Sequence, residues 1–335
     1  MEGIRAEEVR SLLGKIAAAA STGGTINVSE KVTALSDDVV TRAVFGGKFA
    51  QRCEYLHELK EVLRLLGSFS PVDLFPSSRL VRCLSGDERH MKRSYGRIER
   101  IIANVIEERK AVPASIGGDE DLLDVLLRLQ EEDSLEFPLT TQTIGAVLFD
   151  IFAAATDTTG TTLVWAMSEL MHSPETMEKT QQEMVIKETL RLHPPIPLVP
   201  RAAREDCIVM GYHIPKGINV YINLFSISHD PAYWNNPGEF RPERFENNSV
   251  NYNGTYFEFI PFGTGRRQCP GIQFGSSLME MALTNFLYHF DWKLLDGASL
   301  DSVDMSEKFG ITVSRRYDLK LGAIPHVWPN AMSSE

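Results

Sequence analysis

The sequence predicts a mainly α-helical fold with a small β region. Apolar residues recur three and four positions apart through most of the chain up to the paired prolines Pro194 and Pro195. Strand signals appear only after that pair. We therefore expect a single domain, with a helical body over about residues 1–195 and a small β region over about residues 196–335.

Five helices are predicted before the centre of the chain, because charged and apolar residues mix there at helical spacing. They are Glu7–Ala20, Glu30–Val44, Cys53–Leu66, Asp87–Lys110 and Asp121–Glu132. Prolines interrupt helices, so the segment Ser68–Pro76 is predicted to be a loop. A second loop is predicted over Ala111–Asp121, which contains proline, serine and paired glycines.

The central helix has the clearest apolar face, which consists of Ile144, Val147, Leu148, Ile151, Phe152 and Ala155. Thr140 and Thr141 can cap its start, and Pro174 limits its end. A further helical stretch is predicted over Pro174–His193, where the paired prolines stop it.

Strands are predicted over Cys207–His213 and Ile218–Asn223. Between them, Ile214–Gly217 has proline at its second and glycine at its fourth position, which favours a type I turn. The last helix is predicted to begin after Cys269, with Pro270 as its first residue, and a few short strands to follow it. Its buried residues are expected to be Phe274, Leu278, Met281, Ala282 and Phe286.

Composition excludes several classes of protein. The 335 residues carry 34 basic and 45 acidic side chains, and a net charge of -11 argues against binding to nucleic acid. The 4 cysteines form no C-x-x-C pair, so neither a disulfide framework nor a zinc site is expected. Charges interrupt the first twenty residues and the apolar stretch Ile144–Met171, so we expect no signal peptide and no transmembrane segment.

The strongest chemical signal is a cysteine, Cys269, in a glycine-containing loop that directly precedes a predicted helix. The positive end of the helix dipole and free backbone N–H groups favour a thiolate that ligates a metal. Gly265 and Gly271 let the backbone approach a flat ligand, and Arg267 can pair with a carboxylate of that ligand. The alternative is that Cys269 is a small buried hydrophobic residue.

The segment Phe262–Gly271 matches F-x-x-G-x-R-x-C-x-G and resembles the signature of the cytochrome P450 family, the haem-thiolate monooxygenases. Three further resemblances follow the family's chain order, at Ala154–Thr159, Glu188–Arg191 (E-x-x-R) and Pro242–Phe245 (P-E-R-F). The resemblance covers nearly the whole chain and is nearest to the plant group that acts on specialised metabolites. It implies the cytochrome P450 fold, in an incomplete form.

The resemblance also implies roles for individual residues. Cys269 would be the metal ligand, and haem would be contacted by Phe262, Gly265, Arg267, Gly271 and Arg201. Thr158 and Asp157 would be catalytic, the hydroxyl by hydrogen bonding to oxygen and the carboxylate by relaying protons. The alternative for a mid-helix threonine is capping or back-bonding. The substrate pocket would include Ala154, Ala155, Val199 and Ile311.

Glu188 and Arg191 are three residues apart, so they can pair on one helix. An exposed pair of this kind is worth about 0–1 kcal/mol. The family pattern implies instead a buried pair, extended by Arg244, with a structural role in fixing the loop that leads to Cys269.

The sequence departs from the family in three ways. Its match begins inside the family's fold, so the membrane anchor and early helices are expected to be missing. An internal deletion is indicated before the E-x-x-R helix, since Glu178–Met184 runs straight into Val185. Either Glu188 and Arg191 are then displaced from Arg244, or the helix breaks near Met184. Ala155 also stands where the family usually has glycine.

The function implied is that of a haem-dependent monooxygenase, which inserts one oxygen atom from O2 into an apolar small molecule of plant specialised metabolism. Electrons would come from NADPH through a cytochrome P450 reductase. Full-length members of the family would lie at the cytosolic face of the endoplasmic reticulum, and a chain without the anchor would lie in the cytoplasm. Two alternatives stay open, a truncated remnant without stable haem and a haem-thiolate isomerase or peroxide-rearranging enzyme. Asp157 and Thr158 argue against the second.

Overall fold

A computed structural model describes residues 1–75, 77–111, 120–132, 135–174, 181–295 and 303–326. These residues form a mainly helical structure with small sheets, which confirms the predicted fold class. The chain divides into two compact units. The first contains Met1–Leu12, Lys31–Gly160 and Phe309–Ile311, and the second contains Leu13–Glu30, Thr161–Lys308 and Thr312–Glu335.

Helices make up most of the regular structure in the described ranges. In chain order they are α1 (Glu2–Ser21), α2 (Val28–Phe45), α3 (Arg52–Gly67), α4 (Pro71–Leu74), α5 (Arg79–Ser85), α6 (Asp87–Ala111), α7 (Leu122–Glu132), α8 (Thr141–His172), α9 (Gln182–Leu192), α10 (Leu224–Ser228) and α11 (Ile272–His289). The five helices predicted before the centre of the chain are confirmed to within a few residues, because each has a local apolar periodicity. Within the described ranges, no helix combines the length and apolar composition that a bilayer crossing requires.

The core of the first unit is formed by apolar side chains of α2, α3, α6 and the part of α8 that ends at Gly160. Tyr55 and Phe152 meet edge to face, with their ring centroids 5.0 Å apart. At the end of α6, Arg109 donates to Asp121 at 2.6 Å, to Asp124 and to the Phe45 carbonyl at 2.7 Å. This arginine therefore ties the ends of three helices together.

The predicted loop Ser68–Pro76 is wrong in part, since α4 lies inside it. Pro71 occupies the first turn of that helix, where its missing N–H costs no hydrogen bond. Ser70 caps the helix, and the Asp73 carboxylate accepts a hydrogen bond from the Ser70 N–H at 3.0 Å. Helix α5 was not predicted. Of the second predicted loop, residues 112–119 lie outside the described ranges.

Helix α8 is capped as expected, because Thr140 Oγ1 accepts a hydrogen bond from the Thr143 N–H at 3.1 Å. Its predicted apolar face is only partly buried. Ile144, Leu148 and Phe152 are fully buried, whereas Ile151 is 38% exposed, and Val147 and Ala155 are half-buried. The core in the first unit therefore contacts a narrow row of residues spaced four apart.

The predicted helix over Pro174–His193 is interrupted before α9. Pro174 is helical, but Gln181, the N-cap residue of α9, has extended backbone angles (φ -69°, ψ 140°), and α9 starts at Gln182. Residues 175–180 of the predicted stretch lie outside the described ranges. Of the two possibilities that the shortened sequence left open, the described residues therefore show an interruption of the helix just before Gln182.

The strands of the second unit form small antiparallel sheets. They are β1 (Ile26–Asn27), β2 (Leu198–Ala202), β3 (Cys207–Val209), β4 (Tyr212–Ile214), β5 (Asn219–Asn223), β6 (Phe290–Lys293), β7 (Glu307–Lys308), β8 (Ser314–Arg315) and β9 (Lys320–Pro325). The pairings are β1–β9–β6, β2–β5, β3–β4 and β7–β8. In the β2–β5 pair, Pro200 lies opposite Tyr221.

The predicted strand Cys207–His213 is wrong, because this stretch contains the tight hairpin of β3 and β4. Met210 (φ 51°) and Gly211 (φ 87°) form its two-residue loop, and two positive φ angles are typical of a type I′ turn. The predicted type I turn is displaced by one residue. Ile218 N donates to the Pro215 carbonyl at 3.2 Å, and Gly217 at φ 83° fits a type II turn.

The long helix α11 packs in the second unit with a buried face close to the predicted one. Leu278, Ala282 and Phe286 are buried as expected, but Phe274 and Met281 are only half-buried. Met279 and Leu283 are buried instead. Helix α9 packs against α11, so the two helices with the family-like motifs at their ends belong to one core.

Candidate functional site

Cys269 lies in a short loop that closes on itself between residues 260 and 271. The Cys269 N–H donates to the Phe262 carbonyl at 2.9 Å, and the Gln268 N–H donates to the Gly265 carbonyl at 3.1 Å. Gly263 (φ 71°) and Gly265 (φ 70°) both adopt the left-handed conformation that glycine tolerates best. Of these two residues, Gly265 is a glycine of the F-x-x-G-x-R-x-C-x-G motif, so this motif position is needed for the path of the chain itself.

The thiol of Cys269 is exposed and free. Helix α11 begins two residues later than predicted, at Ile272, with Gly271 as its N-cap residue and Pro270 before the helix. The sulfur therefore lies just ahead of a helix N-terminus, where backbone N–H groups and the helix dipole favour negative charge. Because the side chain is exposed, the interpretation of Cys269 as a buried hydrophobic residue does not hold.

A second segment of the chain supports this loop and was not predicted. Thr264 Oγ1 donates to the Gly254 carbonyl at 2.6 Å, and the Tyr252 ring lies 5.3 Å from the Phe262 ring. A Cβ at Gly254 would come within 2.7 Å of Gln268 Nε2, so a side chain there would displace Gln268. The dipeptide Asn253-Gly254, a common turn signal, could have indicated this segment.

The surroundings of Cys269 fit a flat metal-containing ligand. Open space lies beside Gly265, where an added Cβ would meet nothing within 4 Å. At Gly271, an added Cβ would lie 3.8 Å from Cys269 Sγ, an ordinary contact. Arg267 is exposed and has no ionic partner among the described residues, so its guanidinium is available to a carboxylate. An accessible cysteine sulfur, bare backbone and a cation together fit haem held by a cysteine ligand.

Glu188 and Arg191 form a buried bidentate ion pair, and both side chains are 0% exposed. Arg191 Nε lies 2.7 Å from Glu188 Oε2, and Arg191 Nη2 lies 2.8 Å from Glu188 Oε1. Arg244 Nε donates to Glu188 Oε1 at 2.9 Å, as does the backbone N–H of Arg241. The side chains of Glu188, Arg191 and Arg244 thus meet. The pair is buried, so the alternative of an exposed ion pair does not hold.

The two arginines use their remaining donors to hold the polar stretch before the P-E-R-F segment. Arg191 donates to the carbonyls of Ser228 and Pro237 at 2.9 and 2.8 Å. Arg244 donates to the Asn235 carbonyl at 2.9 Å. The buried Trp234 lies beneath both guanidinium groups, 5.4 Å from that of Arg191 and 6.0 Å from that of Arg244.

Trp234 was not predicted from the sequence. The one signal available was the presence of a large aromatic residue in an otherwise polar, proline- and asparagine-rich stretch. Such a residue needs a tertiary partner, and the paired arginines provide it through cation–π contacts.

The family-like segment of α8, Ala154–Thr159, belongs to the first unit. Thr158 Oγ1 donates to the Ala154 carbonyl at 2.8 Å, so its hydroxyl makes the back-bond that is common for mid-helix threonines. Thr158 and Asp157 are both half-buried, and Ala154 is exposed. The hydroxyl would have to rotate away from this carbonyl to bind another acceptor.

Ile311 also belongs to the first unit, where it lies against the end of α3. A Cβ added to Gly67 would come within 2.3 Å of Ile311 N, so only glycine permits this backbone contact. In the second unit, Val199 and Arg201 lie on β2 and are half-buried. Arg201 Nη1 donates to the neighbouring Pro200 carbonyl at 2.8 Å.

A cavity of about 600 Å³ in the second unit lies at the end of α9 and has no predicted site residue among its described lining. His193 borders this cavity. Its ring stacks on the Trp165 ring, with the centroids 4.0 Å apart, and its Nε2 lies 2.6 Å from Glu169 Oε1. Burial, the largest influence, lowers the pKa of His193, but hydrogen bonds and charges from Glu169 and Glu307 outweigh it and raise the pKa above its usual value.

Comparisons with known proteins show the family to which the chain belongs. The family model described as Cytochrome P450 matches residues 1–184 and 183–321. The chain belongs to the cytochrome P450 family. The two matched segments of this P450 overlap at residues 183–184, in the first turn of α9, where the sequence predicts an internal deletion.

Curated plant relatives cover almost all of this P450. Cytochrome P450 71D13 of Mentha piperita is 39% identical over 346 aligned positions, which cover 96% of this chain and 69% of that protein. An ent-isokaurene C2/C3-hydroxylase of Oryza sativa subsp. japonica is 40% identical, covering 98% and 71%. A germacrene A hydroxylase of Barnadesia spinosa is 40% identical, covering 99% and 71%. These names and the family support a monooxygenase oxidoreductase.

Solved structures show the same fold. A zebra fish cytochrome P450 structure with progesterone superimposes with a TM-score of 0.79 at 22% identity, covering 97% of this chain and 77% of that one. The haem domain of cytochrome P450DA superimposes with a TM-score of 0.76 at 21% identity, covering 97% and 73%. Haem is therefore the cofactor that the family implies for this P450.

Proposed function

We propose that this P450 uses haem bound through Cys269 to insert one oxygen atom from O2 into an apolar small molecule of plant specialised metabolism. The exposed thiol of Cys269, in a glycine-shaped loop ahead of α11, is the observation that carries the proposal. The names of the plant relatives, several of which are hydroxylases, support hydroxylation as the form of the reaction.

When bound, haem supplies activation of O2 at an iron whose electron density the thiolate increases. Cys269 would hold the metal, and Arg267 and Arg201 would pair with the carboxylates of the cofactor. Phe262, Gly265 and Gly271 would let its plane lie close to the backbone. The buried Glu188, whose partners hold the stretch before P-E-R-F, has a structural role in this scheme.

Thr158 and Asp157 would take part in proton transfer during the reaction. Placing one oxygen atom in the product and releasing the other as water consumes two electrons and two protons. Asp157 would pass protons inward, and the Thr158 hydroxyl, once released from the Ala154 carbonyl, would orient them by hydrogen bonding. Ala154, Ala155, Val199 and Ile311 would contribute apolar surface to the substrate pocket.

We also propose that the electrons come from NADPH through a cytochrome P450 reductase. For a partner of that kind, the reaction would take place at the cytosolic face of the endoplasmic reticulum.

The test is the carbon monoxide difference spectrum of the reduced full chain, expressed with a haem precursor. A strongly red-shifted Soret band is expected for the wild type and should be lost in Cys269→Ser. Cys207→Ser is the matched control, because Cys207 is also an exposed free thiol, and should keep the band. A band that survives in Cys269→Ser would refute the ligand assignment, and a wild type without haem absorbance would favour the remnant.

Turnover then separates a monooxygenase from an isomerase. With NADPH, reductase and labelled O2, a monooxygenase should place one labelled atom in the product. Product formation that needs neither NADPH nor O2 would favour the peroxide-rearranging or isomerase alternative.

A further inference from the structure

We propose that Asp37 on α2 holds a proton next to Asp157 on α8 and passes it to the Asp157 carboxylate. This role rests on the proposed function, since Asp157 acts there as the proton relay. Asp37 would be a positioning residue, because it acts through Asp157 and touches neither substrate nor cofactor. Both residues belong to the first unit.

The packing of α2 against α8 brings the two carboxyl groups to the same helix contact. A Cβ added to Gly160 of α8 would lie 3.6 Å from Ser36 Oγ and 3.7 Å from Thr33 Cα, so the backbones approach closely there. Asp157 precedes Gly160 by three residues, and Asp37 follows Thr33 by four. Residues at these spacings share a helix face, so Asp37 and Asp157 each lie about one turn from this contact. The charge of Asp157 acts on the Asp37 carboxyl, which shows that the two groups lie near each other.

Asp37 is buried without a fixed partner. Its side chain is 7% exposed, and its carboxyl makes no hydrogen bond or ion pair within the described ranges. Its neighbour Asp38 differs, because Arg52 Nη2 binds Asp38 Oδ1 at 2.5 Å. Beside Asp37, the fully buried Ser36 has a hydroxyl oxygen with no hydrogen-bond partner among the residues that the structure describes, so this hydroxyl can bridge a proton transfer.

The charges around Asp37 suit a group that gains and loses a proton near neutral pH. Burial raises the pKa of Asp37 from 3.8 to about 6. Lys60 and Arg52 of the neighbouring helix α3 lower the pKa of Asp37, whereas Asp38 on its own helix and Asp157 of α8 raise it. Asp37 therefore keeps a proton at a pH where an exposed aspartate has lost it.

The proposed step moves one proton and no electrons. The O–H bond of the Asp37 carboxylic acid breaks, and an O–H bond forms on the Asp157 carboxylate, either directly or through the Ser36 hydroxyl. The Asp37 carboxylate that is left faces the positive charges of Lys60 and Arg52. Asp37 then takes the next proton from bulk water.

The test compares the pH dependence of kcat in the haem-loaded enzyme and in Asp37→Asn. We expect the wild-type kcat to fall as pH rises through about 6. Asp37→Asn should lower kcat about tenfold at pH 6, less than the 10²–10⁴ typical of a direct acid–base group. It should also remove the fall with pH, leave KM and the Soret band unchanged, and alter the solvent isotope effect on kcat.

Two further variants make the result decisive. Glu61→Gln removes a half-buried carboxylate of the first unit that pairs with Arg64, and it should leave the pH profile unchanged. Lys60→Gln keeps the Asp37 carboxyl, removes a charge that lowers its pKa, and should move the fall in kcat to higher pH. This second variant decides the matter if Asp37→Asn does not fold.

An active wild type whose pH profile is unchanged in Asp37→Asn or in Lys60→Gln would overturn the role of Asp37 alone. A wild type that binds haem but does not oxidise any substrate would instead overturn the proposed function, and the role of Asp37 with it.

Discussion

Each of the two units contains a buried carboxyl group, and the two are stabilised in opposite ways. Glu188 of the second unit receives hydrogen bonds from Arg191, Arg244 and the Arg241 N–H. Asp37 of the first unit is buried among helices with no such bond within the described ranges, and its pKa rises to about 6. Ion pairing offsets the desolvation of Glu188, whereas Asp37 avoids that desolvation by holding a proton.

The difference shows how burial leads to two outcomes for the same chemical group. A carboxylate with several fixed cationic and N–H donors becomes an anchor that holds neighbouring backbone in place. A carboxyl without them becomes a group that titrates near neutral pH. We infer that the Glu188 region supplies rigidity for the approach to Cys269, and that the Asp37 region supplies a mobile proton.

The largest expected effect comes from breaking the Glu188 network. Arg191→Ala leaves Glu188 buried without its bidentate partner and should destabilise the fold by about 3–5 kcal/mol. Denaturant unfolding followed by circular dichroism measures this. The matched control is Arg64→Ala, since Arg64 pairs with Glu61 at the same three-residue spacing but on the surface. Equal losses in both variants would contradict the anchoring role of Glu188.

The next effect concerns the pH dependence of stability at Asp37. Because its folded pKa lies above the unfolded one, protonation stabilises the fold, and this contribution is full below pH 3.8 and lost as pH rises through about 6. At about 1.4 kcal/mol for each pKa unit, ionised Asp37 costs the fold about 3 kcal/mol.

Asp37→Asn mimics the neutral acid, so it should raise the free energy of unfolding at pH 8 by up to that amount and have little effect near pH 4. Unfolding measured at both pH values tests the sign. A variant less stable than the wild type at pH 8 would show that the charged form of Asp37 is favoured instead.

A smaller effect is expected from Arg244→Lys, which keeps the positive charge but loses the planar fork. Lysine can keep the contact to Glu188 but not the added bonds to the Asn235 and Glu239 carbonyls. A loss of about 1–2 kcal/mol is expected in denaturant unfolding, less than for Arg191→Ala. A larger loss than for Arg191→Ala would reverse the order of importance within the network.

Local patterns predicted the helices well, and they predicted strand pairing poorly. Helix α3 was expected from its own apolar spacing and differs from the prediction by one residue at each end. The stretch Cys207–His213 looked like one strand, but the positive φ angles of Met210 and Gly211 turn it into a hairpin. Strand β5 instead pairs with β2, which is not adjacent to it in the sequence. Periodicity is a property of neighbouring residues, whereas pairing depends on distant ones.

The sequence alone determined the family, the residues of the Cys269 loop and the chemical type of the side chain at each motif position. These features depend only on which residues occur at fixed spacings along the chain. Only the tertiary structure decided that Trp234 lies under two guanidinium groups. It also decided that Asp37 is buried with no partner in the described part of the chain, while Asp38 pairs with Arg52. Two adjacent aspartates look alike in the sequence. Their electrostatic environments differ because separate helices, distant in the chain, supply the charges and the burial around each one.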